Sequence, residues 1–377
     1  MFLLGALPCK AQSAFSAYEQ LFTPPRQYLT FYTNEAPEID GNIEASVWQQ
    51  AAWSEVFTDI EGDLKAAPTY STRMKILWDD HYLYIAAELE EPHVWARLTE
   101  HDDVIYHDND FEVFIDPENT THQYYEIEVN ALNTLFDLFL PKPYRNNGRA
   151  MIHWNLHDFR SAIQVQGTLN DPGDKDKGWT IEMAIPFRSI SMGNEPKIPE
   201  EGSLWRINFS RVQWEMDIKK GKYVKSKDEK GKPLPEKNWV WSPQGLVNMH
   251  YPERWGYLHF TRQTSLQGSP VPELPYAEKQ KRYLWLIYYK QQAYHRTHDR
   301  YAVSFDQLGI NEWNNIRSQH KVVSKGYPCA EASFLLENQT NKITMEAGTY
   351  QFKAIIQGDD QLNWSINQEG LIELTGK

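Results

Sequence analysis

Carboxylic and amide side chains alternate along two short segments of the chain. Asp110 and Glu112 stand two residues apart in one segment, and Glu126, Glu128 and Asn130 have the same spacing in a second. Because successive side chains of an extended strand point to opposite faces, each set lies on one face of its strand. Carboxyls grouped in this way can bind hydroxyl groups or perform the acid–base steps of glycoside hydrolysis. A solvated strand face is the alternative without a function.

Two acidic runs also offer the hard oxygen ligands that calcium prefers. They are Asp108-Asn109-Asp110 and Asp116-Pro117-Glu118-Asn119, and neither matches a defined calcium loop. A structural calcium ion is therefore a possible cofactor. No other cofactor is expected, and no residue is assigned as a metal ligand.

The elements that carry these residues have the two-residue period of β-strands. Phe111, Val113 and Ile115 form an apolar side, while Asp110 and Glu112 lie on the side expected to be wetter. The sequence predicts strands near 72–78, 82–90, 110–116, 123–130, 133–140, 161–168, 178–185 and 204–212. Short alternating strands separated by turn residues predict a mainly β chain folded as an antiparallel β-sandwich.

Five segments resemble a known family when they are taken in order. They are EIDGNIEASVWQQAAW (38–53), LWDDHYLYIAAELEEP (77–92), DNDFEVFIDP (108–117), GWTIEMAIPF (178–187) and WSPQGLVNMHYPERWGYLHF (241–260). Together they are similar to the family 9 carbohydrate-binding modules, and most closely to long family 9-like secreted bacterial proteins. The resemblance implies an antiparallel β-sandwich of the DOMON-like group. It also implies carbohydrate binding without catalysis, linked to polysaccharide recognition or carbohydrate catabolism.

The resemblance also implies positions for a binding site. Characterised members hold a terminal sugar between two aromatic rings, with carboxylate, amide and basic groups at its hydroxyls. Carried over to this sequence, Glu112 stands at the ligand-binding glutamate, and Tyr106 stands near the first ring. The position of the second ring falls near Met249 and His250, and Glu128 replaces the basic residue. The same sugar in the same pose is therefore not implied.

Three tryptophans are candidates for the second aromatic platform. Trp154 lies in a long polar loop, 141–157, and Trp214 and Trp239 flank a lysine-rich insertion, 219–237. For each ring, a place in the core or as a loop anchor is the favoured alternative. The insertion itself is predicted to be a solvated surface loop rather than an anion-binding arm.

Composition and charge restrict the function classes. A chain of 377 residues has room for two domains, and its net charge of −13 argues against nucleic acid and anionic membrane surfaces as partners. No apolar run reaches 18 residues, so no membrane span is expected. Residues 1–13 resemble the end of a secretory signal peptide, which predicts a secreted or periplasmic location in a bacterium. Without them Cys329 is the only thiol, so no internal disulfide is expected.

The chain is predicted to contain several parts beyond the sandwich. After a signal remnant at 1–13, we expect a leader at 14–37, the sandwich at 38–262, a linker at 263–276 and an α+β appendage at 277–377. The appendage should begin with a helix at 277–301, since Leu284, Ile287 and Gln291 share a helical face. Strands near 331–336, 343–356 and 362–375 should follow.

Three functions remain open at this point. The first is a secreted, non-catalytic protein that binds an oligo- or polysaccharide through Tyr106 and Glu112. The second is a glycoside hydrolase acting on O-glycosyl bonds, or a subunit of a degrading complex. The third is a structural scaffold whose appendage, 277–377, docks a protein partner.

Overall fold

The chain folds into two compact units, each described here by itself. A computed structural model describes residues 15–264, 270–310, 317–322, 328–357 and 362–375. One unit comprises Pro24–Pro272, and the other comprises Met1–Thr23 together with Glu273–Lys377. The predicted signal remnant, 1–13, lies outside the described residues, as does part of the predicted linker.

The regular secondary structure described in the larger unit consists of strands and short 3₁₀ turns. Its strands are β1 Gln27–Tyr32, β2 Thr58–Asp59, β3 Thr72–Trp78, β4 Tyr82–Glu90, β5 Asp110–Asp116, β6 Tyr124–Asn130, β7 Leu135–Leu140, β8 Arg160–Gln166, β9 Gly178–Pro186, β10 Leu204–Gln213, β11 Met216–Lys219, β12 Lys222–Lys225, β13 Lys237–Val240 and β14 Gly256–Thr261. Each of the eight predicted strands is present, with its ends at most two residues from the predicted ones. The local alternation of apolar and polar residues was therefore a sufficient signal for these elements.

Twelve of these strands form one mixed sheet. Its order is β7-β6-β5-β10-β14-β1-β3-β4-β9-β8, with β13 paired to β10 and β2 paired to β13. β1 runs parallel to both β14 and β3, and the other pairs are antiparallel. Pro186 pairs with Tyr82 at the end of β9, where the missing N–H of proline does not interrupt the ladder.

The sheet curls so that its two halves share one apolar core. Leu83 and Ile85 of β4 lie in the same buried cluster as Phe111 and Val113 of β5 and Ile207 of β10. Because side chains from both halves of the sheet pack into this one cluster, the architecture is a sandwich. The predicted fold class is confirmed.

The second face of β5 and β6 is buried as well. Asp110 is 0% exposed, Glu112 is 4% exposed and Phe114 is 1% exposed. A second apolar cluster covers part of this face; it consists of Ile60, Ile105, Phe114, Tyr124, Phe136, Leu138, Leu140, Val240, Met249 and Trp255. The expectation of a wetter, solvated face is therefore wrong, because segments distant in sequence cover it.

The lysine-rich insertion is partly ordered into a hairpin. β11 and β12 pair with each other, and they do not join the large sheet. The Lys225 ammonium lies 3.0 Å from the centre of the Trp214 ring, and burial lowers the pKa of Lys225 to about 8. The insertion predicted as a solvated surface loop therefore begins with a hairpin, which the sequence pattern did not predict, and residues 218–222 of that hairpin are exposed.

Among its described residues, the smaller unit contains one α-helix and a six-stranded meander. Helix α1 is Tyr276–His298, and the strands are β15 Arg317–Val322, β16 Pro328–Leu336, β17 Gln339–Ala347, β18 Phe352–Gln357, β19 Asn363–Asn367 and β20 Ile372–Leu374. Leu284, Ile287 and Gln291 are buried on one face of α1, as predicted. The segment predicted as one strand at 343–356 is instead the hairpin of β17 and β18.

Part of the predicted leader belongs to this smaller unit. The Arg282 guanidinium donates to the carbonyl of Phe22 at 2.8 Å, and Tyr18 stacks on Tyr289. Later residues of the leader form β1 in the large sheet. Cys329 is buried, and its Sγ lies 3.9 Å from the Ala330 carbonyl oxygen. Among the described residues, no helix has the length and apolarity of a membrane span.

Candidate functional site

The second face of β5, β6 and β7 forms the floor of a cleft. Glu112 pairs with Glu128 across β5 and β6, and Phe114 pairs with Glu126. Phe136 of β7 lies beside Glu128. The cavity above them has a volume of about 410 Å³, which is within the usual range for small-molecule sites. Its lining includes Val104, Tyr106, Glu112, Phe114, Glu126, Glu128, Phe136, Leu138, Tyr144, Ile152, Asn248, Met249 and His250.

Tyr106 stands at the rim of this cleft in a fixed position. It belongs to the short 3₁₀ turn Ile105–His107, and its side chain is 38% exposed. Its backbone N–H donates to Glu128 Oε2 at 2.8 Å, and its carbonyl accepts from Trp214 Nε1 at 2.8 Å. The Tyr106 ring is thus accessible, while the backbone of this residue is hydrogen-bonded to Glu128 on the floor of the cleft.

Tyr144 supplies a second accessible ring. It begins the 3₁₀ turn Tyr144–Asn146, is 43% exposed, and contacts the His250 ring edge-on at 4.5 Å between centroids. Burial and the nearby charges of Glu126 and Glu128 raise its pKa to about 12. The turn depends on Gly148, since a Cβ there would lie 1.8 Å from the carbonyl oxygen of Lys142.

His250 connects the rim to the floor. Its Nδ1 lies 3.1 Å from the Tyr124 hydroxyl, and its Nε2 lies 3.9 Å from Glu126 Oε2. Burial and the positive charge of Arg145 lower the pKa of His250 to about 4. The imidazole is therefore neutral at pH 7 and adds no positive charge to the carboxyls beside it.

The carboxyls of the floor repel one another. Burial raises the pKa of Glu112 to about 7; burial and the charge of Glu112 raise the pKa of Glu126 to about 8. The same two causes hold the pKa of Asp110 and of Glu128 well above the usual range. Near neutral pH this group shares protons, so it can both donate hydrogen bonds to hydroxyls and accept them.

Two groups of side chains could hold a cation among the residues described. One is Asp110, Glu112 and Glu128, and the other is His101, Asp102 and Asp137. In the two acidic runs noted in the sequence, the Asp108 and Asp116 carboxyls accept hydrogen bonds from backbone amides. Asp108 Oδ2 accepts from the Arg97 and Leu98 amides, and Asp116 Oδ2 accepts from the Thr121 amide.

The structure brings four of the eight predicted ligand-binding residues together. Tyr106, Glu112, Glu128 and His250 all line the cleft. Asn130 lies beneath it, fully buried, and its Nδ2 donates to the Leu98 carbonyl at 2.9 Å and to Asp108 Oδ2 at 3.3 Å.

The three predicted tryptophans are not among the lining residues of the cleft. Trp154 anchors its loop against Tyr125, with 5.0 Å between ring centroids. Trp239 is 3% exposed and part of the main core. Trp214 and Trp239 border a separate cavity of about 340 Å³. A tryptophan ring buries a large apolar surface when it packs in a core, and this favours a buried position over an exposed one for these residues.

Sequence reasoning missed Tyr144 as a site residue. The sequence does contain a signal for Tyr144. This residue follows Pro143 in the long loop 141–157, the same loop that contains the candidate Trp154. Proline starts a turn there, and a ring placed on such a turn is more exposed than one later in the loop. The apolar lining residues Phe136 and Ile152 were missed because nothing local marks them.

The fold and the cleft define the class of the larger unit, a β-sandwich with a polar and aromatic binding surface. The chain belongs to the family described as carbohydrate family 9 binding domain-like, whose sequence pattern matches residues 39–235. The resemblance to the family 9 carbohydrate-binding modules is therefore confirmed.

Two curated enzymes match part of the chain. Exoglucanase XynX of Acetivibrio thermocellus and endo-1,4-beta-xylanase A of Thermoanaerobacterium saccharolyticum are each 25% identical over 158 residues, or 42% of this chain. The match covers 12% of the first enzyme and 11% of the second. The chain thus spans only about a tenth of the length of these relatives.

Solved structures are also similar to the chain. A family 9 module from Caldicellulosiruptor kristjanssonii, in complex with cellotriose, has a TM-score of 0.40 and 15% identity, covering 66% of this chain and 100% of that one. A putative carbohydrate-binding protein from Bacteroides uniformis has a TM-score of 0.47 and 16% identity, covering 63% and 99%. Neither similarity identifies a ligand for this chain.

Proposed function

We propose that the chain binds carbohydrate without cleaving it, and that an oligo- or polysaccharide enters the cleft between Tyr106 and Tyr144. The observation that carries this proposal is the pair of accessible tyrosine rings at the rim of one cavity floored by Glu112 and Glu128. Membership in the carbohydrate family 9 binding domain-like family supports it.

The chemistry of the cleft suits a pyranose. Such a ring has an apolar C–H face that packs on an aromatic ring, and hydroxyls that require polar partners. Tyr106 and Tyr144 offer the aromatic surfaces, while the Glu112 and Glu128 carboxyls and the neutral His250 offer hydrogen-bond partners. Since partly protonated carboxyls can donate as well as accept, they can match either role of a hydroxyl.

A secreted or periplasmic location belongs to the same proposal. Residues 1–13, read from the sequence, have the pattern of the end of a signal peptide. Mass spectrometry of the mature protein, expressed with its own N-terminus in a bacterial host, tests this location. Cleavage near residue 13 and export are expected, and an intact cytoplasmic chain would contradict them.

A glycan array followed by isothermal titration calorimetry tests the binding itself. Glucose, cello-oligosaccharides and xylo-oligosaccharides are the first ligands to examine. Tyr106→Ala and Tyr144→Ala should each weaken binding roughly tenfold, because each removes one stacking surface. Tyr350→Ala is the matched control, since Tyr350 is 88% exposed and lies in the other unit. Absence of binding to every glycan, or equal loss in the control, would refute the proposal.

Glycoside hydrolysis is the second candidate, and one observation favours it. Burial raises the pKa of Glu112 to about 7, as a general acid would require, beside a further carboxyl at Glu128. Reducing ends released from labelled xylan or cellulose would establish this activity, provided that Glu112→Gln abolishes it. We expect no release.

A further inference from the structure

The other half of the sandwich carries a second cavity, here called the groove. Its floor is formed by β3, β4, β8 and β9, and its volume is about 480 Å³, which is within the usual range for ligand sites. Met74 and Ile181 of these strands point into the main core, so the floor lies on the opposite, outer face. Among the described residues, none lines both the groove and the cleft of Tyr106.

One row of polar side chains crosses the floor of the groove. Arg73 of β3 lies opposite Glu88 of β4. Thr180 of β9 lies opposite both Glu88 and Gln164 of β8. Because neighbouring strands are about 4.8 Å apart, the row spans roughly 14 Å across the four strands. The row is thus longer than one sugar ring and can contact consecutive sugars of a chain.

The Arg73 and Glu88 side chains hold each other in a fixed position. Arg73 Nε donates to Glu88 Oε2 at 2.9 Å, and the guanidinium lies 4.1 Å from the centre of the Trp53 ring. The side chains of Arg73 and Glu88 are 39% and 45% exposed. An exposed ion pair adds little to stability, whereas polar groups that are already oriented reduce the cost of ordering a bound ligand.

Two glutamines of β8 have hydrogen-bonding groups that are open to a ligand. Gln164 Nε2 donates to the Asp40 carbonyl at 3.4 Å, and Gln166 Nε2 donates to Thr180 Oγ1 at 3.4 Å. Both glutamines are exposed, and no described residue donates to the side-chain oxygen of either one. These oxygens can accept hydrogen bonds from the hydroxyls of a ligand, and the amide groups can donate to them.

The segment 41–44 forms a wall beside this floor. Glu182 Oε2 accepts from the Gly41 amide at 2.7 Å, and the Thr180 hydroxyl donates to the Gly41 carbonyl at 2.8 Å. Gly41 has a φ of +88°, and a Cβ there would lie 2.9 Å from the backbone nitrogen of Gln164. Glycine therefore allows the wall to approach β8 closely. Since both wall and floor are held by internal hydrogen bonds, the groove is formed before a ligand binds.

The charges of the groove favour a neutral ligand that is rich in hydroxyls. The basic residues of its described lining are Arg73 and Lys177, and the acidic ones are Glu44, Glu88 and Glu90. Because these charges nearly balance, the groove attracts neither a phosphate nor a strongly basic peptide. An apolar ligand would cover the polar floor without satisfying its hydrogen bonds, which is unfavourable.

We propose that the groove is a second carbohydrate site, which binds a stretch of consecutive sugars in a linear neutral glycan. β8 is the last strand of the sheet, so the row on the floor is open at that end and a longer glycan can continue past it. The groove and the cleft lie on the outer faces of the two halves of the sandwich, so one molecule can hold two glycans at once. The choice of carbohydrate rests on the proposed function, whereas the site is additional to it.

Isothermal titration calorimetry of the full chain with cellohexaose and with xylohexaose tests the groove. The wild type should bind two molecules of at least one of these glycans. Gln164→Ala/Gln166→Ala should weaken the binding at the groove tenfold or more, which leaves one measurable site, because two hydrogen-bonding side chains of the floor are lost. Gln339→Ala/Gln357→Ala is the matched control, since both are exposed strand glutamines of the smaller unit, and it should still bind two molecules.

The variant Tyr106→Ala/Tyr144→Ala separates the groove from the cleft. It should retain the site that the Gln164→Ala/Gln166→Ala variant loses, and urea denaturation checks that both variants fold. Two sites remaining in the glutamine variant, or a single site in the wild type that only the tyrosine variant loses, would overturn the groove and leave the proposed function intact. A single site lost only in the glutamine variant would support the groove and contradict the cleft. No binding by the wild type at millimolar glycan would refute both.

Discussion

The larger unit contains two clusters of buried charge that are balanced in opposite ways. In the first, Glu91 accepts from Trp179 Nε1 at 2.9 Å and from Asn109, and it lies 3.6 Å from the Arg211 guanidinium. In the second, Glu112 and Glu128 lie opposite each other, and the contacts described for them include no basic side chain. A cluster that is balanced internally stabilises a fold, whereas an unbalanced cluster is suited to an external ligand.

Replacement of Arg211, the positively charged residue of the first cluster, should have the largest effect on the free energy of unfolding. Arg211 is fully buried and also donates to Gln213 Oε1 and to Thr72 Oγ1. Arg211→Met leaves the Glu91 carboxylate buried without its counter-charge, which should cost about 3–5 kcal/mol in the free energy of unfolding. Urea denaturation measures this change, and a loss below about 1 kcal/mol would contradict the role assigned to Arg211.

Removal of a negative charge from the second cluster should change the free energy of unfolding in the opposite direction. Glu112→Gln replaces a repelled carboxyl with a neutral amide of similar size, so it should stabilise the unliganded chain at pH 8 by on the order of 1 kcal/mol. Urea denaturation in chelator is the measurement. Glu373→Gln is the control, because Glu373 is exposed on β20. Clear destabilisation by Glu112→Gln alone would show that the second cluster is balanced after all.

A smaller effect should appear in the pH dependence of stability. Burial raises the pKa of Glu112 to about 7, and burial with the charge of Glu112 raises that of Glu126 to about 8. Between pH 5 and pH 8 the folded chain therefore binds protons that the unfolded chain has already lost. Stability should fall as pH rises through this window, with a decrease in Tm on the order of 5 °C.

Thermal melts in chelator at several pH values measure this dependence. The double variant Glu112→Gln/Glu126→Gln should have a flatter profile above pH 6, because it lacks two of the titrating groups. A profile as steep as that of the wild type would place the responsible groups elsewhere. The first alternatives are Asp110 and Glu128, whose pKa values burial and the charge of Glu112 also raise, and Asp116, whose pKa burial raises to about 6.

The sequence predicted what depends on local periodicity. Alternation placed Phe111 and Val113 toward the core and Glu112 toward the other face, and it located eight of the twelve strands described in the large sheet. Since β5 and β6 are neighbours in the sequence, the grouping of Glu112 with Glu128 also followed. The boundaries predicted for the sandwich, 38–262, rested on the same local patterns and on the family resemblance.

What the sequence could not supply depends on distant contacts. Trp255 and Met249 help to cover the face of Phe114, although they lie far along the chain from β5, so its burial had no local signal. The sequence left Trp239 as a candidate sugar platform, with a place in the core or as a loop anchor as the favoured alternative, and its side chain is 3% exposed in the core. Exposure depends on which segments pack over a ring, and neither composition nor spacing reports this.

A crystal structure of the chain with its best glycan ligand tests the central claim most directly. We predict a pyranose ring against Tyr106 and Tyr144, with a hydroxyl within about 3.2 Å of a Glu112 or Glu128 oxygen. A glycan bound instead in the cavity beside Trp214 and Trp239, or on the smaller unit, would contradict the assignment of this cleft.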